Sequence, residues 1–208
     1  MYVYEKNGVE IYRRSFDTIR READLSRFEG AERDVVIRLI HACGMVDLAA
    51  DVMISEHAIE AGRKALANGC SVICDVTMVS QGIIQRNLPA ENPVLCAVKS
   101  DAAVAIAENL QTTRSAGGIE SQKEALTGAI VVIGNAPTAL FHLLEMIENS
   151  TVRPAMIIGC PVGFVGAVES KEALIVHPAK VPFIIVRGRR GGSAMAAAVV
   201  NALAAGLG

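Results

Sequence analysis

Acid–base chemistry in this chain falls most naturally to His41, which sits in the stretch Ile37-Arg38-Leu39-Ile40-His41-Ala42-Cys43-Gly44-Met45. The segment Glu32 to Cys43 is amphipathic, and Gly44 reads as its terminator, because glycine adopts the left-handed conformation that closes a helix without steric cost. His41 then lies in the last turn, where unpaired carbonyls and the helix dipole favour a positive charge. A general acid working near neutral pH needs that charge. At about 100° per residue, Val35, Val36, Leu39, Ile40 and Cys43 make one apolar stripe. His41 falls opposite it, beside Asp34, Ile37 and Arg38, so it is not a core histidine. Spacing alone favours a solvated surface side chain; the sharper reading is an acid facing a cleft or a partner subunit. His57 on an exposed helix, His142 inside the apolar run Ala139 to Ile147, and His177 in a loop read as structural.

The elements that must position such a residue are legible from hydrophobic runs. Ser71 to Val76, Pro93 to Val98, Ala129 to Gly134, Ala155 to Gly159 and Val181 to Val186 read as five buried strands. Helices are expected over Glu56 to Ala67, Met78 to Gln85, Ala102 to Leu110, Ile119 to Leu126, Pro137 to about Asn149 and Ala194 to Ala204. That alternation predicts right-handed βαβ crossovers in one domain spanning 1–208. The fold class expected is α/β, a three-layer α/β/α arrangement with a mainly parallel five-stranded sheet. Before it, Val3 to Tyr12 around Asn7-Gly8 predicts a small N-terminal hairpin with a type I′ turn, and Ser15 an N-cap for a helix Phe16 to Phe28. Asp47 to Met53 is ambiguous.

Ligands of such sheets bind at the carboxyl ends of the strands. Here those ends carry Asp75-Val76-Thr77, Gly134-Asn135-Ala136-Pro137-Thr138, Gly159-Cys160-Pro161-Val162-Gly163 and Arg187-Gly188-Arg189-Arg190-Gly191-Gly192-Ser193. Arg189, Arg190 and Ser193, before the last helix, look like a cradle for a carboxylate or phosphate. The turn Thr112-Thr113-Arg114-Ser115-Ala116-Gly117-Gly118 sets an arginine among hydroxyls, which can fix a carboxylate bidentately or simply face solvent. A nucleotide-binding α/β domain is disfavoured: neither G-x-G-x-x-G after the first strand nor G-x-x-x-x-G-K-[ST] occurs. G-x-S-x-G is missing too.

A net charge of -2 points neither to nucleic acid nor to an anionic membrane. Five cysteines, an odd number, with no secretory signal argue for reduced thiols in the cytoplasm. Cys70 and Cys74 lack a second pair at zinc spacing, so no metal site is expected. The apolar runs are too short to span a bilayer.

Long motifs carry a family resemblance over nearly the whole chain. Arg38-Leu39-Ile40-His41-Ala42-Cys43-Gly44, Ala23-Asp24-Leu25-Ser26-Arg27-Phe28, Thr113-Arg114-Ser115-Ala116 and Gly134-Asn135-Ala136-Pro137-Thr138-Ala139-Leu140 are four of them. Pro161-Val162-Gly163-Phe164-Val165-Gly166-Ala167 with Glu169-Ser170-Lys171, and Arg187-Gly188-Arg189 with Gly191-Gly192-Ser193-Ala194-Met195, continue the likeness. The chain resembles the precorrin-8X methylmutases of cobalamin biosynthesis. The resemblance implies an isomerase that moves a methyl group from C-11 to C-12 of precorrin-8X, giving hydrogenobyrinic acid. It further implies a 1,5-sigmatropic shift that needs no cofactor, no metal and no S-adenosylmethionine. The resemblance also implies a homodimer with the active site at the interface and His41 as the catalytic histidine.

By matching motif, Ser15 and Arg114 are expected to contact the substrate, Arg114 through a carboxylate. Arg13, Thr77, Arg189, Gly192 and Ser193 are expected there from loop position alone. Two other readings remain: a cobalt-precorrin-8 methylmutase of the anaerobic pathway, and a non-catalytic corrinoid-binding protein.

Overall fold

The structure, a computed structural model, describes residues 1–205. Its six strands are β1 (Val52–Ile54), β2 (Val72–Cys74), β3 (Val94–Leu95), β4 (Ile130–Ile133), β5 (Met156–Gly159) and β6 (Phe183–Val186). They form one sheet in the order β1-β6-β5-β4-β2-β3, with every pair parallel except β1 against β6. The expected α/β class holds, and the strand count is corrected from five to six. The extra strand is a short antiparallel edge overlapping the end of the ambiguous segment, following a 3-10 turn over Val46–Asp51.

Nine helices surround the sheet in the described residues: α1 (Gly8–Glu22), α2 (Gly30–Cys43), α3 (Ala58–Ala67), α4 (Thr77–Gly82), α5 (Asp101–Asn109), α6 (Arg114–Glu120), α7 (Pro137–Asn149), α8 (Ala167–Val176) and α9 (Ser193–Ala204). Alternation along the strands divides the core in two. Val72, Cys74, Ile130, Val132, Met156, Ile158, Ile184 and Val186 pack with α2, α3, α4 and α9. Ile73, Val131, Ile133, Ile157, Phe183 and Ile185 pack with α6, α7 and α8. Three layers result, as the buried strands require.

The N-terminus departs from expectation. No hairpin forms; Asn7 caps α1, its side chain accepting from the amides of Val9 and Glu10 at 3.0 and 3.3 Å. An Asn-Gly pair serves a helix start as readily as a turn, and a lone hairpin has little to hold it in water. The helical spacing of Tyr12, Phe16 and Ile19 decides the matter by giving α1 a face to lay against α2. Ser15 is therefore not an N-cap. It lies mid-helix and donates to the Ile11 carbonyl at 2.8 Å. The helix ends at Glu22 rather than Phe28.

Two further corrections concern glycine and polarity. Arg114 to Gly118 is not a turn but the body of α6, with Ser115 to Gly118 buried. The glycines there serve close approach: a Cβ on Gly117 would stand 2.3 Å from the Ala103 carbonyl oxygen of α5. Helix α8 is not announced by apolar periodicity, because Lys171 occupies one of its buried positions.

Candidate active site

The order in which strands are added reverses around β2, whose sheet neighbours β3 and β4 lie on opposite sides. Such a switch point opens a crevice at the carboxyl ends of the strands. Asp75, directly after β2, spans it. One carboxylate oxygen accepts the Gly134 amide at 2.9 Å, and the other accepts Asn135 and Ala136 at 2.9 and 2.8 Å. Burial pushes the Asp75 carboxyl up, and the three amides pull it back. Asp75 thus ties the loop after β4 to the end of β2. It is an anchor that the sequence names only as one polar residue at a strand end.

Around this anchor stand several of the expected site residues. Thr77 opens α4, two residues after Asp75. Arg114, exposed, opens α6 directly after the N-cap Thr113, whose hydroxyl meets that of Thr138 on α7 at 2.8 Å. That bond brings the start of α6, where Arg114 stands, to the start of α7.

His41 stands at the end of α2, in the helix layer that also holds α4 and α9. Gly44 takes φ 72° and its amide donates to the Ile40 carbonyl at 2.7 Å, closing α2 as expected. The imidazole is exposed but not merely solvated. Its ring centroid lies 5.0 Å from that of Tyr12 and 5.1 Å from that of Phe16, the latter edge-on. Both aromatics come from α1, so the helix that replaces the hairpin also seats the histidine. An open cleft of about 530 Å³ lies there, lined by His41, Ile40 and Gly44 with Ile11, Arg14, Ser15, Thr18 and Ile19. His41 and Ser15 are brought together.

Arg13 is not at this cleft. It is engaged along the exposed side of α1 by Glu10 at 2.6 Å and Asp17 at 3.1 Å. The neighbouring Arg14 lines the cleft instead, a residue the sequence reading misses. Once Gly8–Glu22 is known to be helical, the signal is plain: Ile11, Arg14, Ser15, Thr18 and Glu22 follow one face at helical spacing.

The remaining expected residues cluster next to the end of α2. A cavity of about 320 Å³ is lined by Met45, Val162, Gly163, Phe164, Arg189, Arg190, Gly191 and Met195. The Arg189 guanidinium covers the Phe164 ring at 5.2 Å. Gly192 precedes α9 and Ser193 begins it. The Gly192 amide, however, donates to the Cys160 carbonyl at 2.8 Å, so it stitches two loops and is not available to a ligand. Gly191 approaches that same loop so closely that a Cβ would lie 2.3 Å from the Cys160 oxygen.

Other titratable groups fit structural work. His142 pairs with Glu120 at 2.8 Å, His57 stands exposed at the start of α3, and buried His177 accepts the Ala179 amide at 3.3 Å. Burial pushes all five thiols up, Cys160 to about 12, so none is poised as a nucleophile. Among the described residues no three His, Cys, Asp or Glu side chains gather as metal ligands. No helix among them is long and apolar enough to cross a membrane.

Comparison with known proteins meets this geometry. The family described as CbiC, precorrin-8X methylmutase, matches residues 10–205. The precorrin-8X methylmutase of Pseudomonas aeruginosa is 52% identical over 204 residues, covering 98% of each chain. The cobalt-precorrin-8 methylmutase of Leptospira interrogans is 36% identical, over 94% of this chain and 92% of its own. The crystal structure of a precorrin-8X methylmutase from Thermus thermophilus superposes with a TM-score of 0.86 at 37% identity, over 96% of this chain and 98% of that one. The motif around His41 therefore sits in a full-length likeness of sequence and fold, and the chain belongs to the precorrin-8X methylmutase family.

Proposed function

We propose that this protein isomerises precorrin-8X to hydrogenobyrinic acid by moving the methyl group from C-11 to C-12, with His41 as general acid. The observation that carries the mechanism is the company His41 keeps. It stands in the last turn of α2, braced by two aromatic rings, on the wall of an open cleft. A proton or strong hydrogen bond delivered to the macrocycle near ring C polarises the conjugated system. The carbon bearing the methyl group can then pass it to its neighbour. The migrating methyl stays within one molecule, so the chain need only bind, orient and protonate.

The substrate is a wide apolar ring edged with carboxylates, which suits an apolar cleft rimmed by cations and hydroxyls. In this reading Ser15 and Arg14 face the ring edge beside His41. Arg114, Thr77, Arg189 and Ser193 receive the carboxylates at the sheet edge. Arg114→Leu is expected to weaken hydrogenobyrinic acid binding by about 10-fold or more, the scale of one charge-assisted contact. An unchanged dissociation constant by fluorescence titration removes Arg114 from the site. Among substrates, the metal-free form is favoured over the cobalt form by the higher identity to the relative named for it, 52% against 36%.

A homodimer completes the proposal. Of the 15 residues of α1 only Ile19 is buried. Tyr2, Val3, Tyr4, Val9 and Tyr12 stand exposed at this end, as do Phe164 at 83% and Val165 at 89%. That much bare apolar surface beside an open cleft suits a second copy closing over the macrocycle. Sedimentation equilibrium is expected to give twice the chain mass, and a monomer that turns over substrate at full rate would remove the shared site. Five free cysteines fit a cytoplasmic protein.

A further inference from the structure

Lys171 lies on α8, outside the cleft, and its side chain is fully buried. Taking an ammonium out of water is costly unless its protons are engaged. No carboxylate stands within ion-pair distance among the described residues. Instead Nζ donates to two carbonyls, Pro161 at 3.0 Å and Arg190 at 2.9 Å. Burial pushes the amine down to about 8. A methionine would fill such a space with no desolvation cost, so packing alone does not account for a lysine here.

The two carbonyls belong to different loops, one leaving β5 and the other leaving β6. Those loops are already stitched: the Gly163 amide donates to the Arg189 carbonyl at 3.2 Å, and the Gly192 amide to Cys160 at 2.8 Å. Lys171 sits beneath that seam and holds both sides. From the far side of the seam the Arg190 guanidinium reaches Asp47 at 2.7 Å and Asp51 at 3.5 Å. Asp47 lies on the 3-10 turn that begins directly after Gly44 and Met45, at the foot of the His41 helix. One continuous path therefore runs from a buried amine, through a loop carbonyl and a guanidinium, to the end of α2.

We propose that Lys171 is a positioning residue for the methylmutase reaction, locking the Pro161 loop to the Arg190 loop and, through the Arg190–Asp47 ion pair, setting where the His41 helix ends. The inference rests on the reading of His41 as proton donor. A displacement on the order of 1 Å at a reacting group can cost about 100-fold in rate. Lys171→Met, similar in volume, and Asp47→Asn, at an exposed side chain, cut the path at opposite ends. Each is expected to lower kcat about 10-fold or more, with a smaller change in KM. The double variant should be no slower than the slower single one, because both cut the same path. Asp47→Glu should restore most of the rate.

A role confined to stability would lower the melting temperature of Lys171→Met while leaving kcat at the wild-type value at temperatures where the variant is folded. That result overturns the proposal, as does full multiplicativity of the two losses. If Lys171→Met does not fold, Asp47→Asn decides: wild-type kinetics overturn the path, and a loss rescued by Asp47→Glu upholds it. His41→Ala, run alongside, separates the two ideas. An inactive His41→Ala with a fully active Asp47→Asn sinks the positioning path alone, whereas an active His41→Ala sinks the proton-donor reading itself.

Discussion

Replacing His41 by alanine is expected to lower kcat by about 10²–10⁴-fold, the range typical of a positioned general acid. The fold should survive. His41 is exposed, Gly44 closes the helix through its own amide, and the apolar stripe of α2 packs without the imidazole. The losses to stability are the contacts with Tyr12 and Phe16, worth about 0.5–1.5 kcal/mol each. Product affinity should change little, because the carboxylate contacts proposed for the macrocycle lie elsewhere. A variant that binds product and remains folded but turns over at the wild-type rate removes the proton from the mechanism.

The second large effect concerns Asp75. Its two oxygens satisfy three amides, those of Gly134 and Ala136 in buried positions. In Asp75→Asn one oxygen becomes an NH2 group that can only donate, and it must face amides that also donate. Each buried donor left without a partner costs about 1–3 kcal/mol. Denaturant unfolding of Asp75→Asn should therefore show a loss on the order of 2–5 kcal/mol, a large share of a domain's stability. An unchanged midpoint would mean that the loop after β4 holds its shape without the carboxylate. Because that loop leads into α7 and Thr138, the surviving protein should also bind product less well.

The sheet was the most legible part of the chain. Continuous apolar runs such as Ile130–Ile133 and Phe183–Val186 leave no polar face, so they had to be buried on both sides, and helices had to cover them. Gly44 announced the end of α2 because a left-handed residue is needed there. The edge strand β1 was hidden by its brevity: three residues after a 3-10 turn give no alternation to count. The N-terminus is not legible locally because Asn7-Gly8 satisfies two local rules, and only contact of Tyr12, Phe16 and Ile19 with the rest of the chain chooses between them.

The site divides in the same way. His41 and Ser15 were found through their motifs, and the structure seats both on one cleft. Arg13 and Arg14 could not be ranked without the helix, since neighbouring residues point about 100° apart and only one can face the cleft. Loop position alone puts Gly192 at the site, but its amide hydrogen bond is used within the protein. Lys171 offered no signal of burial at all. A lysine in a helix reads as solvated, and only two distant carbonyls converging on Nζ reveal what it does.

The central claim is that this chain catalyses the methyl shift itself. The direct measurement is to mix the purified protein with precorrin-8X, and separately with its cobalt-loaded form, and follow the visible spectrum. The account predicts conversion of the metal-free substrate to the spectrum of hydrogenobyrinic acid, faster than any change in the cobalt-loaded form and lost in His41→Ala. Binding of precorrin-8X with no spectral conversion would contradict it.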